Sequence, residues 1–231
     1  GSHYEASQGL GGDLWGLVPL GSGKLKVFSA DFSGHGVGSA LNTFRLHTFM
    51  SSGTILAESP AAWMAQLNEY LCSVLPIGQF ATMFCAVIDF DAGEVVHASA
   101  GVPSQLLSGS TAHEPFRLID GTGYPLGLIQ GATYEEVRSR FAPGGGLILY
   151  SDALIETPDP PRQVFTPERL AEFVNLKGRG MDCRRLPSEI VSYLERKAKQ
   201  KPNDDLTIIS LFHRNAVPGE DHLQAFDGGV K

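Results

Sequence analysis

Apolar residues recur along this chain in two rhythms, and the rhythm changes from segment to segment. Leu14 to Leu20 is apolar, Gly21-Ser22-Gly23-Lys24 interrupts the run, and Leu25 to Ala30 is apolar again. Two such runs around a short glycine-rich turn predict a β-hairpin. Ala81 to Phe90, the turn Asp91-Ala92-Gly93 and the run from Glu94 to Ala100 predict a second. Between the hairpins the spacing becomes helical. Val37 to Met50 is expected as a helix with Leu41, Phe44, Leu46 and Phe49 on its inner face. Ser59 stands where an N-cap is needed and Pro60 at the first helical position. Trp63, Leu67, Leu71 and Val74 then form one stripe, most simply a core-packing face.

The second half repeats the mixture. Short strands are expected at Gln105–Ser108, Tyr134–Phe141, Leu147–Tyr150 and Leu206–Phe212. Thr166-Pro167-Glu168 opens a helix carrying Leu170, Phe173 and Val174. Another runs from Pro187 to about Lys199, with Ile190, Val191 and Leu194 inward. Consecutive hairpins mean antiparallel pairing rather than repeated βαβ units, so the fold class is α+β. No internal repeat or domain boundary interrupts the pattern. Residues 4–214 are expected to form one domain. Gly1-Ser2-His3 resembles a cloning remnant, residues 215–231 a flexible tail, and the whole a piece of a longer protein.

Composition narrows the function classes. Hydrophobic residues make up 42% of the 231 and charged residues 19%, which is enough apolar material for a sizeable core. The net charge of −7 argues against nucleic acid as the main partner, because phosphate backbones need a basic face. Cys72, Cys85 and Cys183 are odd in number and form no C-x-x-C pair, so a zinc site or a disulfide framework is not expected and a reducing cytoplasm is. Cys85 reads as a small core residue. No run is long and apolar enough for a membrane span, and no signal peptide is present.

The acidic residues carry the chemistry. Four stretches set aspartate in or beside a turn at the end of an apolar strand: Gly11-Gly12-Asp13, Asp31-Phe32-Ser33-Gly34-His35-Gly36, Tyr150-Ser151-Asp152-Ala153 and Asn203-Asp204-Asp205-Leu206-Thr207. Each alone can be a turn residue or helix cap. Together they can hold Mg²⁺ or Mn²⁺, which prefer short carboxylate ligands. Two such ions about 3.5–4 Å apart activate water for attack on phosphorus.

The same motifs, in order, resemble the SpoIIE and RsbU type of bacterial serine/threonine protein phosphatase, in the metal-dependent PPM class. Leu10-Gly11-Gly12-Asp13 resembles the first metal motif, and Ala30 to Leu41 (ADFSGHGVGSAL) resembles D-x-S-G-H-G-x-x-A-A-L. Ala98 to Pro103 resembles N-A-G-H-x-P, Gly123 to Gly127 resembles G-x-P-L-G, Leu149 to Glu156 resembles L-Y-S-D-G-L-I-E, and Asn203 to Thr207 resembles N-D-D-x-T. The resemblance implies a four-layer α-β-β-α sandwich of two antiparallel sheets flanked by helix pairs. It implies that Asp13, Asp31, Asp152 and Asp204 hold two Mn²⁺ or Mg²⁺ ions, with the Phe32 carbonyl as a further ligand and Asp205 as a ligand or an outer acceptor. A water bridging the ions would attack phosphoserine or phosphothreonine, without a covalent enzyme intermediate. The implied substrate is an anti-sigma-factor antagonist, a small STAS-like protein, and a receiver or sensor domain is expected upstream in two-component-like regulation.

Three positions depart from the pattern. Gly16 stands where an acid is common, Ser99 and Val102 replace Asn and His, and Ala153 replaces glycine. They keep open an inactive pseudophosphatase that acts as a protein-binding module. His35 is either a general acid or a structural turn residue. Arg45 and His47 can face substrate or solvent. The Arg184-Arg185 and Arg196–Lys201 clusters read as solvated helix ends or contacts for an acidic partner.

Overall fold

The computed structural model describes residues 1–7, 11–34, 36–52, 59–109, 114–156, 165–178, 181–197 and 204–214. The first expected hairpin is β2 (Asp13–Gly21) and β3 (Lys24–Phe32), following a short β1 (Ser2–Glu5). Helices α1 (Val37–Ser51) and α2 (Pro60–Val74) come next, then the second hairpin, β4 (Ala81–Asp89) and β5 (Glu94–Ala100). Four short strands follow: β6 (Gln105–Ser108), β7 (Arg117–Ile119), β8 (Val137–Arg140) and β9 (Gly146–Tyr150). Helices α3 (Pro167–Phe173) and α4 (Leu186–Lys197) and strand β10 (Leu206–Phe212) close the described chain.

The strands form two antiparallel sheets, ordered β1-β10-β9-β6-β7 and β2-β3-β4-β5-β8. Strand alternation then builds the layers. In β3, Phe28, Ala30 and Phe32 face outward under α1 and α2, where Leu46, Trp63, Met64, Leu67 and Leu71 cover them. Val27 faces inward with Phe84, Ile88 and Val95, against Leu107, Leu147, Leu149 and Ile209 of the other sheet. Ile148, Tyr150, Leu206 and Ile208 face outward again, beneath α3 and α4. The result is the α-β-β-α sandwich expected.

Caps explain the helix starts. Ser59 Oγ accepts from Ala62 N and Pro60 opens α2; Thr166 Oγ1 accepts from Arg169 N and Pro167 opens α3. The inner face of α1 differs from the expectation. Ser39, Asn42 and Leu46 are buried, whereas Leu41 and Phe44 are 55% and 67% exposed. Polar bonds set this rotation: Thr43 Oγ1 donates to the Gly12 carbonyl and Asn42 Nδ2 to Gln79 Oε1. Val74, also expected inward, lies half-exposed at the end of α2. Ser2 and His3 pair with Ile209 and Ile208 in β1.

Two buried polar side chains give tests. Asn68 is fully buried; its Oδ1 accepts from Gly127 N and its Nδ2 donates to the Ile129 carbonyl, tying the G-x-P-L-G loop to α2. Asn68→Ala is expected to destabilise the fold by about 1–3 kcal/mol, the cost of leaving such groups unpaired, as read by urea unfolding. His97 is 2% exposed, stacks on Phe84 at 5.3 Å, and neither ring nitrogen has a hydrogen-bond partner among the described residues. Burial, with Arg117 assisting, lowers its pKa from 6.5 to about 4. The unfolded chain therefore takes up this proton first. Stability from neutral His97 is full above about pH 6.5 and falls as pH drops toward the folded value, by about 3 kcal/mol in all. His97→Phe is expected to remove that share of the acid sensitivity in urea melts at neutral and acid pH.

Candidate metal centre

The ends of the strands bring the four aspartates together. Asp13 opens β2 and Asp31 lies near the end of β3, directly opposite it in register. Phe28, Ala30 and Phe32 point to the helices, so Asp31 points between the sheets. Asp13 alternates with Leu14 in the same way. Across the cleft, Asp152 follows β9 and heads a 3₁₀ turn over Asp152–Leu154, and Asp204 precedes β10. The cleft beside Asp31 and Asp152 is lined by Thr82 and Phe84 of one sheet and Gln105 and Tyr150 of the other, and no described lining residue is Lys, Arg or His.

Electrostatics mark the cluster. Asp13 is 7% exposed and its carboxyl is hydrogen-bonded to that of Asp31. Burial raises the pKa of Asp13 well above the usual carboxylate range, and Asp205 and Asp152 add to the rise. Burial raises Asp31 likewise, followed by the charges of Asp13, Asp152 and Asp204. Asp152 is raised by burial, then by Glu156 and Asp204. Among the described residues, no Lys, Arg or His is among the leading influences on these three.

This donor set fits divalent cations. Among the described residues no three His, Cys, Asp or Glu side chains close around a single point. Carboxylates spread about two ions, each keeping several waters, need no such cage. The Phe32 carbonyl oxygen lies close by: a Cβ on Gly12 would stand 3.1 Å from it and 3.4 Å from Asp31 Oδ1, a tight fit for any side chain there. Gly34 and Gly36 follow with φ of 88° and 80°, a backbone that side chains resist, and carry the chain from β3 into α1.

Several supporting residues had no distinct signal in the sequence. Thr207 Oγ1 donates to Asp13 Oδ2 at 2.5 Å. Ser151 Oγ donates to the Asp205 carbonyl and accepts from Thr207 N, joining the Asp152 turn to the start of β10. Asp205 is buried, with its carboxylate on the amides of Ser7 and Gly12. The Thr of N-D-D-x-T was visible as a motif letter, but its bond crosses the sandwich and no local rule foretells it.

The departures have plain settings. Ala153 has no positive φ and sits in a right-handed turn, so the missing glycine imposes no strain. Gly16 is buried in β2 opposite Phe28. Ser99 is buried in β5 and its Oγ has no partner among the described residues. Arg45 is bonded to Asn42, and Arg184 to Asp182. Cys72, Cys85 and Cys183 are free, and burial pushes the Cys85 thiol up to about 12. His35, Asn203, residues 198–201 and the tail from 215 lie outside the described residues.

Two antiparallel sheets between helix pairs, with aspartates gathered at one end of the intersheet cleft, make up the fold of PP2C-type domains. The chain belongs to the Stage II sporulation protein E (SpoIIE) family, whose profile matches residues 21–214. It is similar to the phosphoserine phosphatase RsbP of Bacillus subtilis (strain 168), with 26% identity over 159 residues, 67% of this chain and 39% of the relative. The chain thus spans well under half of that protein's length. Among solved structures, the SiaA-PP2C domain of Pseudomonas aeruginosa superposes with a TM-score of 0.78 at 19% identity, covering 94% of this chain and 84% of that one. The RsbU and RsbW domains of Rv1364c from Mycobacterium tuberculosis give 0.74 at 25% identity, covering 94% of this chain and 60% of that one. Among the described residues no helix is long and apolar enough to cross a membrane.

Proposed function

We propose that this domain is a metal-dependent phosphatase that hydrolyses phosphoserine or phosphothreonine on a regulatory protein of the anti-sigma-factor-antagonist, STAS-like type. The observation that carries this reading is the convergence of Asp13, Asp31, Asp152 and Asp204 from four chain segments, with burial and mutual repulsion raising three of them. These four carboxylates and the Phe32 carbonyl would hold two Mn²⁺ or Mg²⁺ ions. When bound, the ions supply Lewis acidity at the phosphoryl oxygens and a water activated at neutral pH. The chain's own part is to hold that charge in place and to shape the cleft. Thr207 fixes one Asp13 oxygen, and the β2–β3 pairing fixes Asp13 against Asp31.

The kinship with RsbP and with a chain carrying RsbU and RsbW domains supports a place in partner switching, with a cytoplasmic setting and regulation by a domain upstream. The inactive alternative draws no support from Ala153, which carries no backbone strain. The test is phosphate release from a phosphoserine-bearing STAS-like protein and from a phosphopeptide. Turnover with Mn²⁺ or Mg²⁺ and none with chelator is expected. A folded, ion-loaded protein that turns over neither, in this chain and in the full-length protein with its regulatory domain, would leave only the binding-module reading.

A further inference from the structure

Asp205 is 3% exposed, yet its side chain is committed to backbone. Its Oδ1 accepts from Ser7 N at 2.8 Å and its Oδ2 from Gly12 N at 2.5 Å. Gly11 lies between, and a Cβ there would strike both Asp205 Oδ2 and the Tyr4 hydroxyl. Ser7, Gly11 and Gly12, between β1 and β2, thus gather around one carboxylate just before β10. A carboxylate oxygen keeps a second lone pair, so hydrogen bonding alone would not bar it from a metal. Both oxygens nonetheless face backbone amides, and Gly11 and the Tyr4 hydroxyl lie close beside Oδ2. The residue after Gly12 is Asp13, whose Oδ2 is held by Thr207, two places beyond Asp205 on the same strand. Asp13 belongs to one sheet and β10 to the other. Asp205 and Thr207 therefore seat the Asp13 backbone and side chain, respectively, across the sandwich.

We infer that Asp205 is a positioning residue rather than a metal ligand: its carboxylate latches the Ser7 and Gly12 amides to β10 and so presets Asp13. The inference rests on the four-carboxylate centre proposed above. Charge-assisted bonds to two amides are strong enough to order a short loop, and outer partners of metal ligands typically govern affinity by about 10–100-fold.

The test compares wild type, Asp205→Asn and Asp205→Ala. Hydrogen exchange without metal reads the latch. Exchange at the Ser7 and Gly12 amides is expected to quicken about tenfold or more in the variants, while Leu147 and Leu211 on β9 and β10 stay protected, showing an intact fold. Calorimetric titration with Mn²⁺ reads the consequence. The variants are expected to bind as many ions as wild type with about 10–100-fold weaker affinity. Asparagine keeps one acceptor oxygen, so Asp205→Asn should fall between wild type and alanine, and it carries the test if the alanine variant does not fold. Loss of one ion from the stoichiometry makes Asp205 a ligand and overturns the inference. Unchanged protection of Gly12 or unchanged affinity also overturns it. A wild type that binds no Mn²⁺ sinks the proposed centre instead, while the exchange measurement still decides the latch.

Discussion

Asp31→Asn is expected to abolish phosphate release and, at the same time, to make the metal-free protein more stable. The loss of activity should exceed the roughly 10²–10³-fold that removal of one transition-state donor costs, because the proposed centre needs Asp31 as a cation ligand beside Asp13, which it faces in register. The gain in stability follows from the same burial. Asp31 has its folded pKa raised above the unfolded value, first by desolvation and then by Asp13, Asp152 and Asp204. A raised pKa means that the folded state holds the proton more tightly. The resulting stability is full below the unfolded value of 3.8 and is lost as pH rises through the folded one. Near neutral pH the metal-free protein therefore carries a penalty that asparagine removes, on the order of 1–4 kcal/mol by analogy with buried charges replaced by neutral groups. Urea melts from acid to neutral pH check it. Because His97 acts in the opposite direction over this range, the test is the difference: the stability of Asp31→Asn minus that of wild type should grow from acid to neutral pH. A variant less stable than wild type at every pH would contradict the electrostatic account.

Chelation gives the second large effect. With excess EDTA, activity should vanish, and adding Mn²⁺ should restore it together with thermal stability. An ion present at a hundred times its Kd stabilises the folded state by about 2.7 kcal/mol per site. In a domain of this size that is a Tm rise of roughly 5–10 °C per site. The rise should shrink sharply in Asp31→Asn, because the carboxylate needed by the cation is gone. The two predictions are linked. Without metal the asparagine variant is the more stable protein, and with metal the wild type is. Such a crossover is what a site built from mutually repelling carboxylates requires, and a purely structural acidic cluster would not produce it. Scanning fluorimetry of both proteins, with EDTA and with Mn²⁺, reads it in one experiment.

Much of this architecture was legible because its signals are local. The apolar runs Leu25 to Ala30 and Ala81 to Phe90, each beside a short turn, foretold hairpin strands, and the structure has them. Ser59-Pro60 and Thr166-Pro167 foretold helix starts. The four aspartates stood out because each sits at a strand end or turn, and strand ends meet at one edge of a sandwich. What was not legible depends on distant partners. Helix α1 offered Leu41 and Phe44 as an inner face. The bonds of Asn42 to Gln79 and Thr43 to Gly12 turned the polar side inward instead. Strand β1 has no apolar alternation and exists by backbone pairing with β10. Strand β7 is three residues long, below the length at which a period can be recognised. The links from Thr207 to Asp13 and from Asp205 to Gly12 span 194 and 193 residues of sequence, so no window along the chain contains both ends.

The central claim is that Asp13, Asp31, Asp152 and Asp204 together hold the cations that do the chemistry. Anomalous diffraction at the manganese edge, on crystals grown with Mn²⁺, tests it most directly. The account predicts two peaks about 3.5–4 Å apart in the cleft between the sheets, with Asp13, Asp31, Asp152 and Asp204 as ligands, and none in crystals of Asp31→Asn at the position that Asp31 shares. Peaks absent from this cleft, or held by side chains other than these four, would contradict it.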